Sequence, residues 1–214
     1  MPSQALQKFE NRLLTDVHRL VESHNQLNHN GRGRRGLGHI TRSGVFLLCA
    51  AWERYIEDLA IECTNKLADW AASPEDLPLS VQKEISKYVK SHKHDLKPLE
   101  LAGNGWEHIY TTHAEALCNS LNTPKLAPVR DLLKRTAGWE TDFDELEVDT
   151  EFVDPFVSAR GDIAHNGSDA DYVTLANLEN YLRQISALVL IIDNAACDFL
   201  NTHTGTRPWR RRTA

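Results

Sequence analysis

Asp154-Pro-Phe-Val-Ser-Ala-Arg160-Gly-Asp162-Ile-Ala-His165-Asn-Gly167 is the stretch on which the reading of this chain turns. It spells one short helix with both ends marked. Asp154 is placed to cap the first free N–H groups, and Pro155 at the first helical position needs no N–H partner. Asn166-Gly167 supplies the left-handed residue that commonly stops a helix. At about 100° per residue, Phe156, Val157, Arg160, Ile163 and Ala164 share one arc. An arginine therefore sits inside an apolar face. Residues five apart lie about 140° apart on a helix, so His165 falls on nearly the opposite side.

Outward from this stretch the chain reads as helix throughout. Val45, Leu48, Trp52, Tyr55, Ile56, Leu59, Cys63, Leu67 and Trp70 keep helical spacing over 39–72. Val45 to Ala51 is apolar all round and calls for cover by several neighbours. A first helix is expected over 3–30, capped by Ser3, with Leu6, Phe9, Leu13 and Val17 inward. Shorter helices follow at 79–92, 106–121 and 128–136, and a long final helix at 171–202, opened by Ser168-Asp-Ala-Asp171. The acidic segment 142–151 is an exposed connection packed through Phe143, Leu146 and Val148. Alternating strand patterns and sequence repeats are absent.

The chain has 214 residues, 41% hydrophobic and 25% charged, which suits a single large globular unit. Residues 1–203 form one domain in this reading, and the basic tail 204–214 is expected to be disordered. The net charge of −6 gives no global attraction to nucleic acid, so any RNA contact must use a local patch. Cys49, Cys63, Cys118 and Cys197 lie far apart without a C-x-x-C pair. They read as reduced, buried thiols of a cytoplasmic protein. The apolar run Val45–Trp52 is too short to span a bilayer, so no membrane is expected. Ten histidines are dispersed, and His92, His94, His108 and His113 read as surface residues without a metal-ligand pattern.

The R-x4-H spacing within Arg160-Gly-Asp-Ile-Ala-His165-Asn-Gly resembles the motif of the HEPN superfamily. The Cys49-Ala-Ala-Trp-Glu-Arg-Tyr-Ile-Glu-Asp-Leu59 helix, the Asn122-Thr-Pro124 element and the long final helix resemble its RiboL-PSP-like branch. The resemblance implies an all-α, HEPN-like helical bundle with two long core helices, a short motif helix and extra helical insertions. It also implies a homodimeric, metal-independent endoribonuclease without cofactors, of the kind found among toxins and antiviral-defence effectors. A cognate antitoxin of nucleotidyltransferase type is the partner it suggests. Arg160 and His165 would then be catalytic, two copies of each meeting in one cleft across a two-fold axis. Asp162 is a candidate for orienting a histidine. The residue after the arginine is Gly161, where catalytic members often carry Asn, Asp or His.

Other readings of the same residues stand beside this one. Arg160 also fits a structural arginine holding carboxylates such as Glu53 or Glu57, and His165 a cation favoured at a helix C-terminus. A non-catalytic HEPN module binding nucleotides or protein, or a plain helical scaffold, would leave the motif without chemistry. Arg32, Arg34 and Arg35 in the loop Gly31–Gly38 are candidate RNA contacts, as is the tail 207–212. The plainer reading of the loop is a solvated linker.

Overall fold

A 33-residue helix, Gly38–Trp70 (α3), is about 50 Å long and apolar over most of its circumference, so its neighbours must be built around it. The computed structural model describes residues 1–28, 35–143, 146 and 148–213, with the backbone alone of Arg35. The other helices are α1 (Gln4–Lys8), α2 (Thr15–Leu27), α4 (Leu79–Ser91), α5 (Gly105–Cys118), α6 (Leu126–Ala137), α7 (Val153–Asn166) and α8 (Leu175–Thr204). No strand occurs among the described residues. The architecture is the expected all-α bundle, with α3 and α8 as its two long members. Helices α1, α2, α5, α6, α7 and α8 all pack on α3, while α4 packs on α5 and α6.

Polar anchors fix these helices at defined levels along α3. Trp52 Nε1 donates to Pro124 O at 2.8 Å, seating the break before α6. Thr64 Oγ1 donates to Thr136 O at 3.2 Å, twelve residues further along both segments, so α6 runs parallel to α3. Tyr55, fully buried, donates its hydroxyl to Val189 O of α8 at 3.0 Å. Each bond satisfies a buried carbonyl or ring donor whose desolvation would otherwise cost about 1–3 kcal/mol. Gly44 permits the close approach of α8, since a Cβ there would lie 2.4 Å from Leu178 Cδ2. By length and composition α8 could cross a membrane, yet Leu178, Ile185, Leu188, Ile192 and Leu200 are buried in the bundle.

Several expectations are corrected. The first helix is not continuous. Ser3 caps α1 by accepting from Leu6 N at 2.9 Å, but a π turn, Phe9–Leu13, separates α1 from α2. The wider turn shifts the phase by about one residue, so Leu14 takes the inward place expected of Leu13. Val17 and His24 are buried as expected, and Leu27, the last residue of α2, is half exposed. The final helix begins at Leu175, where Thr174 and Asn177 form a reciprocal cap, rather than at Asp171. Val45–Ala51 is not covered all round: Phe46 and Leu47 are 39% and 38% exposed.

The segment expected to be a disordered tail is packed. Trp209 is buried, its Nε1 donates to Asp193 O at 3.2 Å, and Cys197 Sγ donates to its carbonyl at 3.2 Å. Arg210 N donates to Met1 O at 2.9 Å, and Arg212 pairs with Glu10 at 2.6 Å. An indole buries too much apolar surface to stay in water when a site is open, and it draws the flanking arginines with it. Beneath it, Ser3 Oγ donates to the buried carboxylate of Asp193. Burial, with Glu62 nearby adding to it, pushes Asp193 up to about 6 despite the Ser3 bond.

Two outcomes follow for stability. Deleting residues 206–214 removes the Trp209 packing and lowers unfolding stability by about 3 kcal/mol in urea titrations, whereas a disordered tail would leave it unchanged. Asp193 has a folded pKa above its unfolded value. The stability it contributes is therefore present in acid and lost as pH rises through about 6. Asp193→Asn should gain stability relative to the parent as pH rises from about 4 to 7, by up to about 3 kcal/mol, and a pH-independent difference would contradict this.

Candidate functional site

The motif helix α7 is held at both ends by carboxylates, and Asp154 is not the cap of its own helix that the sequence suggests. The helix starts two residues early, at Val153, so Asp154 lies inside its first turn. Asp154 Oδ1 accepts from Leu126 N at 2.9 Å and so caps α6, whose own N-cap residue Lys125 makes no side-chain cap bond. One of the N–H groups left free at a helix start is thereby satisfied from a neighbour. Phe156 and Val157 are buried, and Phe156 lies 5.0 Å from the ring of Tyr181 on α8. At the other end Gly167, with φ of +56°, stops the helix in a conformation that side chains resist.

Asp162 fastens this end and makes no hydrogen bond to His165 of its own chain. Its Oδ1 accepts from Asn166 Nδ2 at 2.6 Å and its Oδ2 from Asp171 N at 3.0 Å. The Asp171 amide and then the Asn166 side chain hold its carboxyl below the usual range. Both oxygens are thus occupied by the turn that links α7 to α8. His165 is left exposed in the last turn of α7.

Arg160 is half buried, with its guanidinium carbon 5.2 Å from the centre of the Phe46 ring. Such a cation–aromatic contact contributes about 0.5–2 kcal/mol, more when water is excluded. Its Nε is buried and makes no hydrogen bond. The structural role considered for Arg160 is only partly seen. Glu57 pairs with Arg54 at 3.1 Å, and Glu53 makes no close ion pair with Arg160. Burial raises the Glu53 carboxyl, while the nearby Arg160 charge opposes that rise. Burial likewise pushes the Cys49 thiol up to about 12, again against Arg160, so Cys49 is a packed thiol and not a nucleophile. Arg160 therefore keeps an unsatisfied polar edge beside a ring at the surface, with one softened carboxylate behind it.

The profile of the RiboL-PSP-HEPN family matches residues 11–198. The chain belongs to that family. No curated protein and no solved structure matches it. Membership in this helical-bundle family is consistent with a module directed at RNA, whether it cuts or only binds.

Of the predicted site residues, Arg160 and His165 lie on one helix but face apart, and Asp162 is committed to the turn. Arg32 and Arg34 lie outside the described residues, as does the side chain of Arg35. Gly161 opens onto space, since a Cβ there would meet nothing within 4 Å. Sequence reasoning missed Phe46, because an aromatic in an apolar run reads as core. The signal available was its place with Ser43, Leu47 and Ala50 at i, i+3, i+4 and i+7, all exposed on one face of α3.

The role given to Asp162 has a direct check. Asp162→Ala should speed amide exchange at Asp171 and fray the last turn of α7, leaving the amides of α3 protected. Unchanged exchange at Asp171 would contradict that role.

Proposed function

We propose that the protein is a metal-independent endoribonuclease whose cleft is completed by a second copy of the chain. The observation that carries this reading is the arrangement at the outer face of α3. Arg160, with an unbonded Nε, lies on Phe46, and Phe46 and Leu47 form a bare apolar strip beside it. A strip at i, i+3, i+4 and i+7 is what one helix offers another, and a two-fold axis through it is self-complementary. One copy alone cannot converge Arg160 and His165, since they lie about 140° apart on the helix. Two copies facing across the strip would bring two guanidinium and two imidazole groups around one phosphodiester.

The chemistry suited to such a cleft is attack by the neighbouring 2′-hydroxyl. One His165 takes the 2′ proton as the O2′–P bond forms. His165 of the partner subunit gives a proton to the 5′ oxygen as the P–O5′ bond breaks. Histidine titrates near neutrality and can serve either role. Arg160 stays charged and binds the non-bridging oxygens, stabilising the phosphorane. The products are a 2′,3′-cyclic phosphate and a 5′-hydroxyl. A toxin or defence effector restrained by a nucleotidyltransferase-type antitoxin is the setting that fits such an activity.

Gly161 favours a second reading. It leaves open the place beside Arg160 where a polar side chain would assist, as a non-catalytic RNA- or nucleotide-binding module would allow. Cleavage of a labelled RNA separates the two. Arg160→Ala and His165→Ala should each slow cleavage at least about 100-fold while remaining folded at the assay temperature, and EDTA should have no effect. No cleavage by the parent, or equal cleavage by all three, would sink the nuclease reading.

A further inference from the structure

Helix α4 carries three lysines, Lys83, Lys87 and Lys90, all exposed. They fall within about 60° of arc and rise along the axis in steps of about 6 and 4.5 Å. None of the three makes an ion pair among the described residues. The single acid of this helix, Glu84, is unavailable to neutralise them. Its Oε1 accepts from Arg135 Nη2 at 2.6 Å and meets His113 Nε2 at 3.1 Å. Burial raises the Glu84 carboxyl, but the Arg135 and His113 bonds outweigh burial and hold it below the usual range. His113, expected at the surface, is mostly buried and stacked on Tyr88 with centroids 4.2 Å apart.

The row borders two concave surfaces. Between α4 and α6 lies a groove of about 360 Å³ lined by Ser80, Lys83, Lys87, Lys134 and Arg135. Its carboxylates, Glu84 and Asp131, are both bonded to Arg135. The depression on the other side is lined by Gln82, Ser86, Lys90 and Ser91 among others, without a carboxylate. In a chain of net charge −6, uncompensated lysines interleaved with hydroxyl and amide donors form a local positive track. Cations at steps of a few ångströms suit a chain of phosphates, and the lining offers no pocket for reading a base.

We propose that this lysine row and the groove beside it dock the backbone of single-stranded RNA without regard to sequence. The proposal rests on the reading of the protein as acting on RNA. The track belongs to a different part of the bundle from the motif. Residue Thr136 at the end of α6 is bonded at Thr64 of α3, whereas Arg160 acts beside Cys49. Fifteen residues of helix separate those levels by about 22 Å, so the track is not part of the motif's own surface.

The test uses the full chain carrying His165→Ala, which keeps the RNA intact, and an oligouridylate of about 20 nucleotides followed by fluorescence anisotropy. Adding Lys83→Gln, Lys87→Gln and Lys90→Gln should weaken binding at least about tenfold at about 50 mM salt. The log–log salt slope should also fall by about 2, the loss expected for three phosphate contacts to a single strand. Unchanged affinity and slope would overturn the track. So would loss of binding on replacing Arg32, Arg34 and Arg35 alone, or a parent that binds phosphatidylglycerol vesicles but not RNA. With His165 restored, lost binding in a protein that never cleaves RNA keeps the track and rejects the nuclease. Retained binding in one that cleaves rejects the track alone.

Discussion

The covering of α3 is the constraint from which the rest of the molecule follows. A helix so long and so apolar cannot stay in water, and six other helices are arranged to bury it. Burial at about 25 cal/mol per Å² outweighs the loss of chain freedom only when nearly every face finds a neighbour. Trp52, Tyr55 and Thr64 turn that packing into a register by bonding to Pro124, Val189 and Thr136. Two places on α3 depart from this rule: its last residue, Trp70, which has the His203 ring at 5.4 Å, and the pair Phe46 and Leu47 within the helix. Family motif and bare strip meet there, with Arg160 laid on Phe46.

The motif helix gains its precision from its ends. Asp154 ties its start to α6 and Asp162 ties its finish to the segment before α8. Neither carboxylate bonds the imidazole, so the helix is positioned by acids that leave Arg160 and His165, on opposite sides of it, without a paired carboxylate. The positive charge of Arg160 is balanced loosely, by the face of a ring and by a carboxylate that burial keeps weak. A guanidinium held this way retains donors for an incoming anion, which a tight bidentate ion pair would consume.

Much of this was legible in the residues. Helical spacing found α3 through α8 to within a few residues, because a 3.6-residue period survives in any order of packing. It could not find the π turn at Phe9–Leu13, since one extra residue per turn leaves no mark in composition. It took Arg207–Arg212 as solvated because charge dominates the segment, yet Trp209 decides its fate by filling a site above Asp193. Ser168–Asp171 looked like a helix start, but the reciprocal bonds of Thr174 and Asn177 outcompete it. The motif pair was visible by spacing. Phe46 and the second role of Asp162 were not, because both depend on which elements become neighbours.

Sedimentation of the parent and of Leu47→Asp, followed by assay of each on RNA, bears most directly on the claim that two copies make one site. The account predicts a parent at twice the 24.2 kDa chain mass and a folded, monomeric, inactive variant. A parent that cleaves RNA while sedimenting as a single chain, or a monomeric variant of full activity, would contradict it.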